Sequence, residues 1–180
     1  MTTQISGSTG IDKVQDGTIT NADINASAAI AGSKVDIDSS GTLLQTVTAT
    51  SGAGTYVGSG TAWDDITGMN VTITPSKSTS KVMVSWHASV MVNPVSGSTP
   101  IQCRLMRGST EVHRLGDNYC NESDAWRTYV ESGVFIDAPA TTSATNYKIQ
   151  FSTGGSTTDS NVRINEYSGN LFIQVTEIGG

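Results

Sequence analysis

From Lys81 to Val92 the chain alternates: Val82, Val84, Trp86, Ala88, Val90 and Val92 share one parity, and Lys81, Ser85, His87 and Ser89 the other. Successive side chains of a strand point to opposite faces, so this stretch predicts a long strand with one buried face and Trp86 in the interior. Met83 and Met91 fall on the polar parity, which predicts partial cover on that face too. Shorter alternations follow the same rule at Gln45–Thr50, Met69–Ile73, Ile101–Leu105, Val112–Leu115, Arg127–Ile136, Tyr147–Phe151, Val162–Ile164 and Leu171–Val175. Turn signals separate them: Pro75-Ser76-Lys77-Ser78-Thr79-Ser80, Arg107-Gly108-Ser109-Thr110, and Asp137-Ala138-Pro139.

About eight or nine short strands at this spacing predict an all-β fold, an antiparallel sandwich of the jelly-roll kind, over residues 41–180. No internal period is visible, which argues against a propeller or a β-helix.

Residues 1–40 read differently. They contain no aromatic residue, and their apolar residues stand singly: Ile5, Ile11, Val14, Ile19, Ile24, Ile30, Val35 and Ile37. That spacing fits neither a heptad nor a strand, so the segment cannot bury its isoleucines within one copy. Asp16-Gly17 between Val14 and Ile19 predicts a tight hairpin turn. Thr20-Asn21-Ala22-Asp23 predicts a helix start, with Ile24, Ala28 and Ala31 on one face and Gly32 as the closing cap. The segment is expected to need other chains or a docking surface, with its contacts running through Ile5, Ile11, Val14, Ile19, Ile24, Ile30 and Val35.

Composition sharpens the picture. Only 36% of the residues are hydrophobic and 14% are charged, and the filler is neutral: Gly numbers 19, and Ser and Thr are each more abundant. Thr suits half-solvated strands, and Gly and Ser suit turns. A net charge of -6, with the basic residues scattered, argues against nucleic acid as a partner. No run approaches the ~20 apolar residues of a membrane span, and no basic start with an apolar core marks a secretory signal. Synthesis in a cytoplasm is the expectation, and with it two thiols at Cys103 and Cys120 rather than a disulfide.

Several segments resemble bacteriophage tail-fibre and fibre-like virion proteins. Near the N-terminus these are Gly10-Ile11-Asp12-Lys13-Val14-Gln15-Asp16-Gly17-Thr18-Ile19-Thr20-Asn21-Ala22-Asp23-Ile24 and Ala28-Ala29-Ile30-Ala31-Gly32-Ser33-Lys34-Val35. Further on, Val71 to Val82 and Phe135 to Tyr147 resemble a β domain found at fibre ends. The resemblance covers most of the chain. It implies a homotrimer on a virus particle, docked on other virion proteins by residues 1–40 and presenting its β domain to a host glycan or protein. One departure is the absence of a long repetitive shaft, which keeps open a head-decoration or baseplate piece with no receptor.

Catalytic chemistry is not evident. A glycosidase would need two carboxylates ~5–10 Å apart across a groove. The adjacent pair Asp64-Asp65 reads as a solvated turn beside Trp63, and no nucleophile elbow, zinc-protease motif or phosphate loop occurs. His87 and His113 stand alone and read as polar residues on strand faces, so no metal and no cofactor is expected. The binding candidate is the stretch Gly116 to Trp126, read as a loop. Asp117, Asn118, Tyr119, Asn121 and Trp126 combine hydrogen-bonding groups with aromatic rings, the kit used to grip a sugar, although the two aromatics would serve equally to anchor a loop.

Overall fold

The computed structural model describes residues 40–51, 54–57, 62–93, 99–120, 126–153, 161–164 and 171–180. Ten strands account for most of them: β1 (Leu43–Ser51), β2 (Gly54–Val57), β3 (Asp64–Ile73), β4 (Lys81–Asn93), β5 (Thr99–Arg107), β6 (Thr110–Cys120), β7 (Arg127–Asp137), β8 (Thr145–Ser152), β9 (Asn161–Ile164) and β10 (Leu171–Ile178). The hairpin, the short helix and the isolated isoleucines read from residues 1–39 lie outside the described residues, as does Asn121.

The strands form two antiparallel sheets. One runs β1-β10-β4-β9-β2 with β7 also on β4, and the other runs β3-β8-β5-β6. Register shows why the first is four strands wide. β4 pairs with β7 from Val82 to Val92 along one edge. Along its other edge it meets β10 from Lys81 to His87 and then β9 from Val90 to Asn93. β1 continues outward from β10 as β2 does from β9. Counting β1 with β2, and β9 with β10, as interrupted strands gives two four-stranded sheets whose chain winds from one to the other, the order of a jelly roll. The expected fold class is therefore the observed one. β2 is the strand that the hydrophobic pattern did not reveal.

The alternation of β4 becomes the centre of the core. Val82, Val84, Ala88, Val90 and Val92 are fully buried and Trp86 nearly so, and Met91 on the other face is also covered. Opposite them stand Met69, Val71 and Ile73 of β3, Ile101, Cys103 and Leu105 of β5, and Tyr147, Ile149 and Phe151 of β8. Leu105 and Met106 are both buried although they point to opposite faces of β5, which keeps its alternation because the register shifts against β6 leave the extra residues on β6. Cys103 lies opposite Gly116 and Cys120 opposite Thr99. The two cysteines are thus four strand positions apart, roughly 13 Å, which is beyond the reach of a disulfide.

Two buried acids bind the layers together, and a third fixes a turn. Asp137, ending β7, receives both Arg107 Nη1 contacts at 2.9 and 2.8 Å and the Tyr147 hydroxyl at 2.6 Å, both from the opposite sheet. Glu131, three periods of the alternation earlier on β7, accepts from the Asn118 amide of β6. Glu177 of β10 is fully buried and accepts from Gln45 Nε2 at 2.5 Å and from the Ser76 amide and hydroxyl at 2.7 Å each. The Ser76 bonds anchor the Pro75–Ser80 turn to β10.

Candidate functional site

The stretch from Gly116 to Cys120 is strand, not loop. β6 continues to Cys120 and keeps its pairing with β5, with Gln102 opposite Asp117, Ile101 opposite Asn118 and Pro100 opposite Tyr119. Gly116 misled the reading. It marks a bulge, where the register shifts between Cys103 and Arg104, and its φ of 154° is one that glycine tolerates. Glycine here bends the strand without ending it.

Two of the five candidate residues have described side chains. Asn118 is half-buried and its amide donates to Glu131 across the gap between β6 and β7. Trp126, also half-buried, lies just before β7 with the Arg163 guanidinium 4.2 Å from its ring centroid. The structure thus gives Asn118 and Trp126 separate partners. Asp117 and Tyr119 are placed by their backbone in β6.

Glu131 was missed, although β7 carried its signal. Tyr129, Glu131, Gly133, Phe135 and Asp137 share the inward parity, and two carboxylates at inward positions mark buried polar contacts. Burial pushes the Glu131 carboxyl above its ordinary value, and the Asn118 hydrogen bond only partly opposes this. A carboxyl raised by burial can take part in proton transfer. A second carboxylate at glycosidase distance would be needed for sugar cleavage, and its described polar partner is the Asn118 amide.

The Asp64-Asp65 pair is also strand, since β3 begins at Asp64. Asp65 accepts from Lys148 Nζ at 2.9 Å and Gln150 Nε2 at 2.6 Å. Partial burial would raise its pKa, but these two hydrogen bonds and the Lys148 charge outweigh that and hold it below the ordinary range. Beside it, Arg104 and Arg114 place guanidinium groups 4.1 and 4.8 Å from the Trp63 ring centroid, and both ion-pair with Glu111. The outer face of the four-stranded sheet is therefore a mesh of paired charges.

His87 stacks on Phe172 and shares a 2.7 Å hydrogen bond with Ser132, while His113 stacks on Phe135 at 4.8 Å. Among the described residues no group of three His, Cys, Asp or Glu side chains converges as a metal site would. Among the described residues no helix is long and apolar enough to cross a membrane.

The outer face of the six-stranded sheet contrasts with the first. Across β1, β10, β4 and β7 its rows read Thr46, Thr176, Met83, Ile136; then Thr48, Gln174, Ser85, Val134; then Thr50, Phe172, His87, Ser132. No acid or lysine interrupts these rows. Lys81 and Arg163 stand at the two ends of the face. Among the described residues the exposed large hydrophobic side chains are Leu43 (64%), Val130 (61%), Val134 (61%) and Ile136 (55%), and all four lie on this face.

No protein-family model matches the sequence, and no characterised protein matches it. Among solved structures it is similar to a chain of the T13 particle of IBDV, with 11% identity and a TM-score of 0.41 over 74% of this chain and 35% of that one. A chain of the infectious bursal disease virus Gt strain gives 16% identity and a TM-score of 0.41 over 75% and 37%. This chain thus spans little more than a third of the length of those it matches. The jelly-roll assignment rests on strand order.

Proposed function

We propose that this protein is a non-catalytic structural component of a bacteriophage particle. It would be a short homotrimeric fibre whose residues 1–40 dock on other virion proteins and whose jelly roll contacts a host-surface glycan or protein. The observation that carries this reading is the jelly-roll winding of a Ser- and Thr-rich chain whose buried acids Glu131, Asp137 and Glu177 are hydrogen-bonded within the fold. The resemblance of the N-terminal segments and of Val71–Val82 to fibre proteins supports the particle and the trimer. Localisation to the virion follows from the same reading.

One observation favours a second reading, a head decoration or baseplate accessory with no receptor. Asn118 and Trp126, the described members of the candidate sugar site, are engaged by Glu131 and Arg163 within the chain. Immunogold labelling of intact particles tests the shared part of both readings. Label at a defined position on the particle is expected, and particles carrying none would refute both. Purified protein that competes with particles for host adsorption supports the receptor reading, and failure to compete at saturating concentration supports the accessory reading. Release of reducing sugar ends from host envelopes by the purified protein would overturn the non-catalytic assignment.

A further inference from the structure

We infer that the outer face of the six-stranded sheet is covered by a second copy of this chain. The inference rests on the self-assembling reading above and assigns it a surface.

The face is apolar where a soluble sheet is ordinarily polar. Val130, Val134 and Ile136 stand outward from β7 at more than half exposure, beside Met83 and Phe172 of the neighbouring strands. β7 pairs with β4 alone among the described strands, so this apolar row also borders an unpaired strand edge. Chains that remain alone ordinarily blunt such an edge with lysine, proline or inward charge. β7 carries no lysine or proline, and its outward residues from Thr128 to Ile136 are uncharged; its inward Glu131 and Asp137 guard the edge against strand pairing, so the outward face is the surface left to cover.

Charge selects the occupant. Each copy carries a net charge of -6, so two copies repel unless they meet where charge is absent. The three central rows of this face bear none, whereas the opposite outer face is built from Asp65, Lys148, Arg104, Glu111 and Arg114. A partner chosen by charge would find nothing to read on the uncharged face, and a copy of the same chain meets no like charge there.

Size agrees. Four strands ~4.8 Å apart, each contributing about nine residues at ~3.4 Å, span roughly 500 Å². Two such faces reach the ~1,000 Å² total that a specific interface needs.

The test uses the full chain, with Val130→Lys and Val134→Lys on the face and Ser109→Lys on the exposed β5–β6 turn as a control of equal charge. Mass is followed by light scattering across a dilution series, with melting curves to establish that each variant is folded. The wild type and the control should form the same oligomer. Each face variant should raise the concentration at which half the protein is dissociated by at least about tenfold, since like charges opposed across an interface are strongly disfavoured. If a lysine variant unfolds, the neutral double variant Val130→Thr with Val134→Thr carries the same test. Face variants that keep the wild-type oligomer at every dilution, or a control that dissociates as readily as they do, would overturn this surface and leave self-assembly standing. A wild type that is monomeric throughout would overturn both, and the face would then belong to a different protein.

Discussion

The indole of Trp86 occupies the space where a β-carbon on Gly133 would stand. The two residues are cross-strand partners on β4 and β7, and a methyl group built on Gly133 would lie 2.5 Å from Trp86 Cζ2. Glycine within a strand ordinarily costs stability relative to alanine. Here the sign reverses, because the obstructing atoms belong to a rigid ring packed in the core.

Gly133→Ala is accordingly expected to destabilise the fold by about 1–3 kcal/mol, as overpacking does. Trp86→Ala should cost roughly 3–5 kcal/mol through the cavity it leaves. In the double variant the methyl group partly fills that cavity, so the two costs should not add. Urea unfolding of all four proteins reads the coupling. Additive costs would show that the ring and the glycine are not in contact.

Glu177 predicts acid sensitivity of a particular shape. Burial alone would raise its pKa, but the hydrogen bonds from Gln45 and Ser76 overcome this and bring it from 4.5 to about 2. A group lowered on folding stabilises above its unfolded value, and that contribution drains away as pH falls from 4.5 toward 2. At neutral pH it amounts to roughly 3 kcal/mol. Glu177→Gln should lower stability at pH 7 and flatten the loss between pH 5 and pH 2. Unfolding curves across that range decide it, and an unchanged slope would remove Glu177 from the account.

Tyr147 and Asp137 should be felt together. Burial and the adjoining Asp137 carboxylate push the phenol well above its ordinary value, despite the opposing Arg107 charge. Difference absorbance should therefore show Tyr147 remaining protonated at alkaline pH until the chain unfolds. Tyr147→Phe should cost about 1–2 kcal/mol. Asp137→Ala should cost more, roughly 3–5 kcal/mol, because it strips both the phenol and a guanidinium of their partner. Equal losses in the two variants would show that the Arg107 contact adds nothing.

Deletion of residues 1–40 should abolish incorporation into particles while leaving the jelly roll folded. Five or six isoleucines, each contributing about 1.5–3 kcal/mol when buried, are the expected source of that attachment. Counting the truncated chain on purified particles tests it, and incorporation at the normal level would show that attachment lies elsewhere.

The alternation of Val82 to Val92 made β4 legible because one face of that strand is wholly buried. The same signal located all the other strands except β2, a four-residue strand beyond β1 with too few positions for a pattern. Sheet order was not legible, since which strands lie side by side depends on contacts between distant residues. Gly116 looked like an end of strand because a bulge and a turn ask the same of a glycine. Glu131, Asp137 and Glu177 stood at inward parity, but their charge spoke for solvent, and only the donors Asn118, Arg107 and Gln45 reveal why they are inside. Of the candidate binding residues, Asn118 and Trp126 read from sequence as parts of one loop, whereas Asn118 lies in β6 and each already has a partner within the chain.

The position of β10 has a consequence for synthesis. It lies between β1 and β4, and Thr46 meets a partner 130 residues later in the chain, at Thr176. While the ribosome is still making the later strands, β1 has no place to join and the Lys81–His87 edge of β4 is unpaired. The first sheet can close only when β10 has emerged, which makes its closure a late step that joins strands distant in the chain. Neighbouring nascent copies on one message would present the same open edge to one another, so ribosome spacing along the message would affect how much of the protein reaches its native form.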